Sequence, residues 1–137
     1  MSMQDLAFPD IALPARKTLE IILPWPDSRL MPNRRHGKHW SAVQTAKAKS
    51  RGDGFFLAKQ AIGDQKISPI GRLPMRITFA APNLIRRDMD NLHAALKAAL
   101  DGVAKGLGVD DSRFRPIVLD DSVDPTKRGY VKLEIEI

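Results

Sequence analysis

The chain has 137 residues, of which 43% are hydrophobic and 28% charged, so its composition suits one folded domain and is too apolar for a disordered segment. The absence of cysteine excludes disulfide scaffolds, cysteine zinc sites and thiol nucleophiles, and the net charge of +6 favours an anionic partner. No apolar run is long enough to cross a bilayer, and the N-terminal residues lack the pattern of a signal peptide, so we expect a cytoplasmic protein without a membrane partner.

The first half of the chain predicts a strand followed by a helix. Few periodic apolar residues and two prolines predict an N-terminal extension over residues 1–17, ahead of a domain that fills the rest of the chain. The run TLEIILP at residues 18–24 predicts a strand, and a polar, basic loop leads on from it. Residues 40–62 have helical composition, but Gly52 and Gly54 predict a kink or a division into two helices.

A strand and a long amphipathic helix follow. Residues 73–81 alternate as a strand does, and Met75, Ile77 and Phe79 share one face. The helix is expected to take Asp90 as its N-cap. Its apolar positions recur at the spacing of one helical face: Leu92, Ala95, Leu96, Ala99, Leu100, Val103 and Leu107.

The end of the chain predicts two further strands. They fall at residues 113–119 and 128–137, and Asp120 and Asp121 are interpreted as hairpin-turn residues between them. The predicted order is β-α-β-α-β-β. We therefore expect a single α+β domain over residues 18–137, with helices packed on a small mixed sheet.

The positive charge is concentrated in one segment. Seven basic residues and no acid lie from Arg29 to Arg51, so of the 22 basic residues 15 remain elsewhere against 16 acids, a net of −1. Such a footprint is expected of a protein that binds a polyanion such as nucleic acid, although a solvated basic face is the alternative. The basic residues expected to contact DNA are Arg29, Arg34, Arg35, Lys38, Lys47, Arg86 and Arg87.

Acidic residues form a second pattern near the predicted helix. Asp88 and Asp90 are two residues apart, and Asp110 and Asp111 follow some twenty residues later. Carboxylates gathered without histidine or cysteine suit a hard cation such as Mg²⁺, which shares phosphate oxygens with its substrate. The alternative is structural: the first pair would cap a helix, and the second pair would form a turn.

Lys97 lies on the same helical stripe as Asp90, together with Ala94 and Asp101. It is two turns from Asp90, roughly 10 Å along the axis, and its side chain leans toward the helix start. It could therefore approach a phosphate held at the acidic pair. The alternative is an ion pair with Asp101. The nearby His93 could assist at the same face, although it is interpreted as a surface histidine.

These motifs together resemble the RusA family of Holliday-junction resolvases, which prophages often carry. The string DMDNL matches the family's DxDNL, a lysine and DG follow on the same helix, and the DD pair comes next. The sequence ILPWP at residues 22–26 precedes a basic loop, as in the family. The resemblance covers the chain from about residue 19 to its C-terminus.

The resemblance implies a homodimeric endodeoxyribonuclease that uses Mg²⁺, with Mn²⁺ as an alternative, and resolves four-way DNA junctions by paired symmetric nicks in recombination and repair. It places the catalytic, metal-binding aspartates at Asp88, Asp90 and Asp111. The best-known family members carry the active-site lysine at the position of Ala94, and we assign this role to Lys97.

Two questions stay open. A straight helix would place Asp111 far from Asp88, so either the helix breaks near Gly102 or Asp111 serves the site of the other subunit. The function also has alternatives: a catalytically inactive protein that binds junctions, or a metal-dependent nuclease that acts on another branched substrate.

Overall fold

A computed structural model describes residues 16–32 and 39–137, in which strands and helices alternate before two final strands. The predicted order of elements is confirmed. The N-terminal extension lies almost wholly outside the described residues. The elements are β1 (Thr18–Pro24), α1 (Trp40–Ile62), β2 (Met75–Ala81), α2 (Met89–Leu107), β3 (Ile117–Val123) and β4 (Tyr130–Glu136), with 3-10 turns at Ser28–Leu30 and Asp111–Arg113.

The four strands form one mixed sheet in the order β1-β4-β2-β3. Strand β4 is antiparallel to both β1 and β2, whereas β3 is parallel to β2. The predicted hairpin is therefore wrong: Asp120 and Asp121 lie inside β3, opposite Thr78 and Phe79 of β2. The crossover through α2 leads to a parallel strand beside β2, and the chain must then pass over β2 to form β4.

One face of the sheet forms the core beneath both helices. Strands β1, β2 and β4 bury alternate residues, as the period of two requires, and the face predicted for β2 is confirmed. Helices α1 and α2 cover this face, which gives a single α+β domain. The buried strand residues are Leu19, Ile21, Leu23, Met75, Ile77, Phe79, Val131, Leu133 and Ile135.

Helix α1 is continuous from Trp40 to Ile62, so the predicted division into two helices at its glycines is wrong. Helices α1 and α2 meet backbone to backbone, and this close contact explains why two of their positions are glycine. A Cβ added to Gly54 would lie 2.2 Å from the carbonyl oxygen of Ala99, and one added to Gly102 would lie 2.0 Å from that of Arg51. Gly54 and Gly102 therefore serve a close helix crossing rather than a helix break.

Asp124, in the turn before β4, is a buried carboxylate that organises its own loop. It accepts hydrogen bonds from the backbone nitrogen of Thr126 at 2.9 Å, the Thr126 hydroxyl at 2.8 Å and the backbone nitrogen of Gly129 at 3.0 Å. The bonds from Thr126 are the main reason that the pKa of Asp124 lies below its ordinary value.

We expect Asp124→Asn to lower the melting temperature at neutral pH, because a neutral amide accepts these bonds less well. The ionised carboxylate contributes its full stabilisation above the ordinary pKa of about 4 and loses it as the pH falls through the lowered pKa. Thermal unfolding followed by circular dichroism should therefore show a gap between variant and wild type that closes in acid. The exposed Asp64 provides the control: Asp64→Asn should leave the melting temperature unchanged at each pH.

Candidate functional site

Both helices begin at the same end of the molecule. Ala46 packs in one cluster with Ala95, and further along Gly106 lies against Ala58, so contacts advance along α1 and α2 in the same direction. The carboxyl ends of β1 and β2 lead to this end as well, and Trp25 follows β1 there. Two helix N-termini, with their partial positive charge, therefore face a common surface.

The acidic pair lies at the first turn of α2. Asp88, and not the predicted Asp90, is the N-cap: its backbone is extended, and its Oδ1 accepts from the backbone nitrogen of Asp90 at 2.9 Å. Both side chains belong to exposed residues, and they line one surface depression together with Arg86 and Arg87. The structure thus brings these four predicted residues together.

The two arginines beside this pair differ in their surroundings. The Arg87 guanidinium donates to Oδ1 of Asn83 at 2.8 Å and to the carbonyl oxygen of Ile85 at 2.9 Å. Its Cζ also lies 5.3 Å from the ring centroid of Trp25. Arg87 therefore fixes its own loop, whereas Arg86 is exposed. The sequence did not lead us to predict that Trp25 supports Arg87, although the position of Trp25 in the string ILPWP was a signal of some role.

The middle of α2 carries Lys97 and His93 on the stripe that starts at Asp90. Lys97 is exposed, in line with its predicted position. His93 is half-buried, and burial followed by the charge of Lys97 lowers its pKa, while Asp90 acts in the opposite direction. His93 is therefore harder to protonate than a free imidazole, and the acid Asp90 and the base Lys97 lie near it on the same helix.

Asp111 lies toward the other end of α2. The helix passes Gly102 without a break and ends at Leu107, and its C-cap Gly108 has a φ of +71° that lets the chain reverse. Asp111 then meets Asp101 and Asp110. The pKa of Asp111 is raised, mainly by loss of hydration and to a smaller extent by its hydrogen bond with Asp110 and the charge of Asp101.

Asp111 therefore does not join the acidic pair within one chain. Its neighbour Asp101 is 11 residues beyond Asp90 (101 minus 90), which is about 16 Å along the helix axis. Within residues 16–32 and 39–137, no three acidic or histidine side chains are grouped so as to hold a metal ion.

The basic segment is only partly described. Arg29 pairs with Asp27 through two side-chain nitrogens, with Nη2 and Oδ2 2.7 Å apart. Lys47 is half-buried on α1, and the neighbouring Lys49 pairs with Asp53 at 2.9 Å. Some of this positive charge is therefore compensated by acids that flank the segment. The predicted contacts Arg34, Arg35 and Lys38 lie outside the described residues.

The fold and the site define an α+β protein with an arginine-flanked acidic pair at the start of its second helix. A protein of Xylella fastidiosa described as uncharacterized is 36% identical over 104 residues, which cover 74% of this chain and 67% of that protein. The chain belongs to the same family as that protein. No family model matches the chain. None of the described helices is long and apolar enough to span a membrane.

Proposed function

We propose that this protein is a magnesium-dependent endodeoxyribonuclease that resolves four-way DNA junctions. The observation that carries the proposal is the exposed pair Asp88 and Asp90, placed beside Arg86 at the end where both helices begin. The described residues 39–51 of the basic segment lead into and belong to α1, which begins at this same end. A phosphate backbone held there would bring a phosphodiester bond next to two carboxylates.

The acidic pair fits Mg²⁺ by its chemistry. This ion is usually held by one or two carboxylates, keeps several waters and shares oxygens with a substrate phosphate. When bound, it supplies an activated water and offsets the charge that builds on the phosphodiester. Asp88 and Asp90 would hold the ion, and Mn²⁺ is the alternative ion for the same donors.

The cationic side chains around the pair would hold the DNA. Arg86 is exposed beside the carboxylates, and its planar guanidinium can bind a phosphate through two hydrogen bonds. Lys97 is exposed further along the same stripe, where its ammonium would stabilise charge near the scissile phosphate. A branched duplex is distinguished by its shape and phosphate positions, so little contact with base edges is needed.

Asp111 enters this proposal through a second subunit. Ligands of one Mg²⁺ lie about 2.1 Å from the ion, whereas Asp101, which Asp111 meets, is about 16 Å along α2 from Asp90. Asp111 therefore cannot share an ion with Asp90 within the chain. The unbroken α2 removes the alternative of a helix break. A two-fold axis through the middle of α2 would place the acidic start of one subunit beside Asp101 and Asp111 of the other.

The first test is cleavage of a labelled synthetic four-way junction, beside a linear duplex made of the same arms, with Mg²⁺ or with EDTA. Paired, symmetric nicks that require the metal and spare the duplex would support a junction resolvase. Equal cutting of the duplex would remove the junction as substrate and keep the nuclease chemistry.

The shared site predicts complementation between two inactive variants. In a heterodimer of Asp90→Asn and Asp111→Asn, one composite site carries both substitutions and the other carries neither. We therefore expect mixing and re-association of equal amounts of the two variants to restore nicking at one strand. About half of the dimers are then heterodimers with one intact site each, so the rate of first nicking should reach about a quarter of the wild-type rate. Each variant re-associated alone is the control. If each chain held a complete site, both sites of the heterodimer would be impaired and nicking would not return.

A second candidate is a junction-binding protein without cleavage activity. It is favoured by the fact that the described residues of one chain gather no metal group of three. This candidate predicts tight junction binding in EDTA, no cutting with either Mg²⁺ or Mn²⁺, and unchanged function in Asp88→Asn. A labelled flap substrate added to the same assay separates it from a nuclease that prefers another branched substrate, because only the nuclease would cut the flap.

A further inference from the structure

The loop that leads into the acidic pair carries two exposed aliphatic side chains. Leu84 is 87% exposed and Ile85 is 67% exposed, and Leu84 is the most exposed large hydrophobic residue of the described part of the chain. We call these two side chains the apolar tip. Exposed aliphatic groups of this size are unfavourable in water, so their clustering beside a candidate site indicates a contact surface.

The apolar tip is held in place by its own loop. The backbone nitrogen of Ile85 donates to Oδ1 of Asn83 at 3.1 Å, and Arg87 bonds both to that oxygen and to the carbonyl oxygen of Ile85. Arg87 lies on Trp25, whose ring packs edge-on against the fully buried Phe79, with centroids 6.3 Å apart. A chain of contacts thus connects the tip to the core.

The charges beside the tip indicate the chemistry of its partner. Arg86 follows the tip directly, and the surface on its other side belongs to Asp88 and Asp90. A partner must therefore present phosphate and apolar area within a few ångströms of each other. DNA does so where bases are unstacked, because a continuous duplex covers the faces of its bases.

We propose that the apolar tip contacts the unstacked bases at the branch point of a DNA junction, with Arg86 on the neighbouring phosphate. The tip would thereby select branched over linear DNA, a role that rests on the proposed function. Aliphatic side chains that wedge between base steps stabilise an open, kinked DNA geometry. Because Arg87 already fixes the loop, little conformational entropy is lost when the tip makes this contact.

The test compares Leu84→Ala combined with Ile85→Ala against the control Ile70→Ala. Ile70 is 78% exposed, in the loop between α1 and β2 at the opposite end of the fold. A junction with 2-aminopurine at the branch point reports unstacking in EDTA, and its cleavage is measured with Mg²⁺. Wild type and Ile70→Ala should raise the fluorescence, whereas the double variant should not, and it should cut the junction about tenfold more slowly.

Each outcome decides between the two proposals. If the wild type cuts the junction and the double variant matches it in both fluorescence rise and cleavage rate, the role of the tip is overturned. The resolvase proposal then still stands. Failure of the wild type to bind junctions would overturn both. Binding with a fluorescence rise but without cutting would overturn the resolvase proposal and leave the contact of the tip standing. A change of molar mass in the double variant, measured by light scattering, would make the tip a contact between subunits and also overturn its role with DNA. All three side chains are exposed, so thermal unfolding should be unaffected.

Discussion

Substitution of Asp90 by asparagine is expected to abolish junction cleavage and to leave junction binding intact or tighter. The variant removes one of two carboxylates available to the metal, and we expect a loss of about a thousandfold in cleavage rate, which corresponds to about 4 kcal/mol of transition-state stabilisation. It also removes a negative charge that repels phosphate, so affinity should not fall. The measurements are single-turnover cleavage with Mg²⁺ and a gel-shift titration in EDTA.

The matched control is Asp64→Asn, which removes the same charge from an exposed position in the loop after α1. Its cleavage rate and affinity should match those of the wild type. A loss of binding in Asp90→Asn as severe as the loss of cleavage would count against the metal role, since it would indicate a damaged DNA surface. Full cleavage by Asp90→Asn would remove Asp90 from the site altogether.

Substitution of Gly102 by alanine is expected to have the largest effect on stability. The new Cβ would lie 2.0 Å from the carbonyl oxygen of Arg51 and 2.8 Å from its carbon, so the two helix backbones would have to separate. Steric overpacking of this kind costs about 3 kcal/mol, a large part of the stability of a domain of this size. Urea unfolding followed by circular dichroism measures the change directly.

Gly52→Ala provides a control within α1, since a Cβ at Gly52 meets nothing within 4 Å. This variant should be more stable than the wild type by roughly 0.5–1 kcal/mol, because alanine favours the helix more than glycine does. A higher free energy of unfolding in Gly52→Ala together with a lower one in Gly102→Ala would therefore identify the close crossing of the two helices. Equal stability of Gly102→Ala and the wild type would show that the helices do not meet as described.

Much of the fold follows from hydrophobic periodicity. The alternation of Met75, Ile77 and Phe79 and the helical spacing from Leu92 to Leu107 predict elements that the structure contains, because burial of one face dictates each pattern. The pairing of β3 could not be predicted in this way. Its exposed, acidic sequence suits an edge strand as well as a turn, and its neighbour is chosen by the crossover through α2.

The glycines of the two helices show a second limit of sequence reasoning. Glycine in a helix weakens it, so Gly54 predicts a break when α1 is considered by itself. The structure gives the opposite result, because the absence of a side chain at Gly54 permits contact with Ala99 on another helix. Such a role depends on a partner distant in the sequence and has no local signature.

The candidate site was predictable where its residues are adjacent in the chain. Arg86, Asp88 and Asp90 are close in space because they span the start of one helix. The interaction of Arg87 with Trp25 joins separate parts of the sequence and needs the folded sheet. The position of Asp111 depends on whether α2 continues through Gly102, which the sequence left open.

The backbone contact between α1 and α2 has a mechanical consequence. At Gly54 and Gly102 no flexible side chains separate the helices, so neither helix can slide along the other without steric clash. The distance between Trp40 at the start of α1 and Asp88 at the start of α2 is therefore fixed by the packing of the two helices. If DNA contacts both helix starts, as the proposed function requires, we expect the DNA to bend to fit this fixed spacing while the protein keeps its shape.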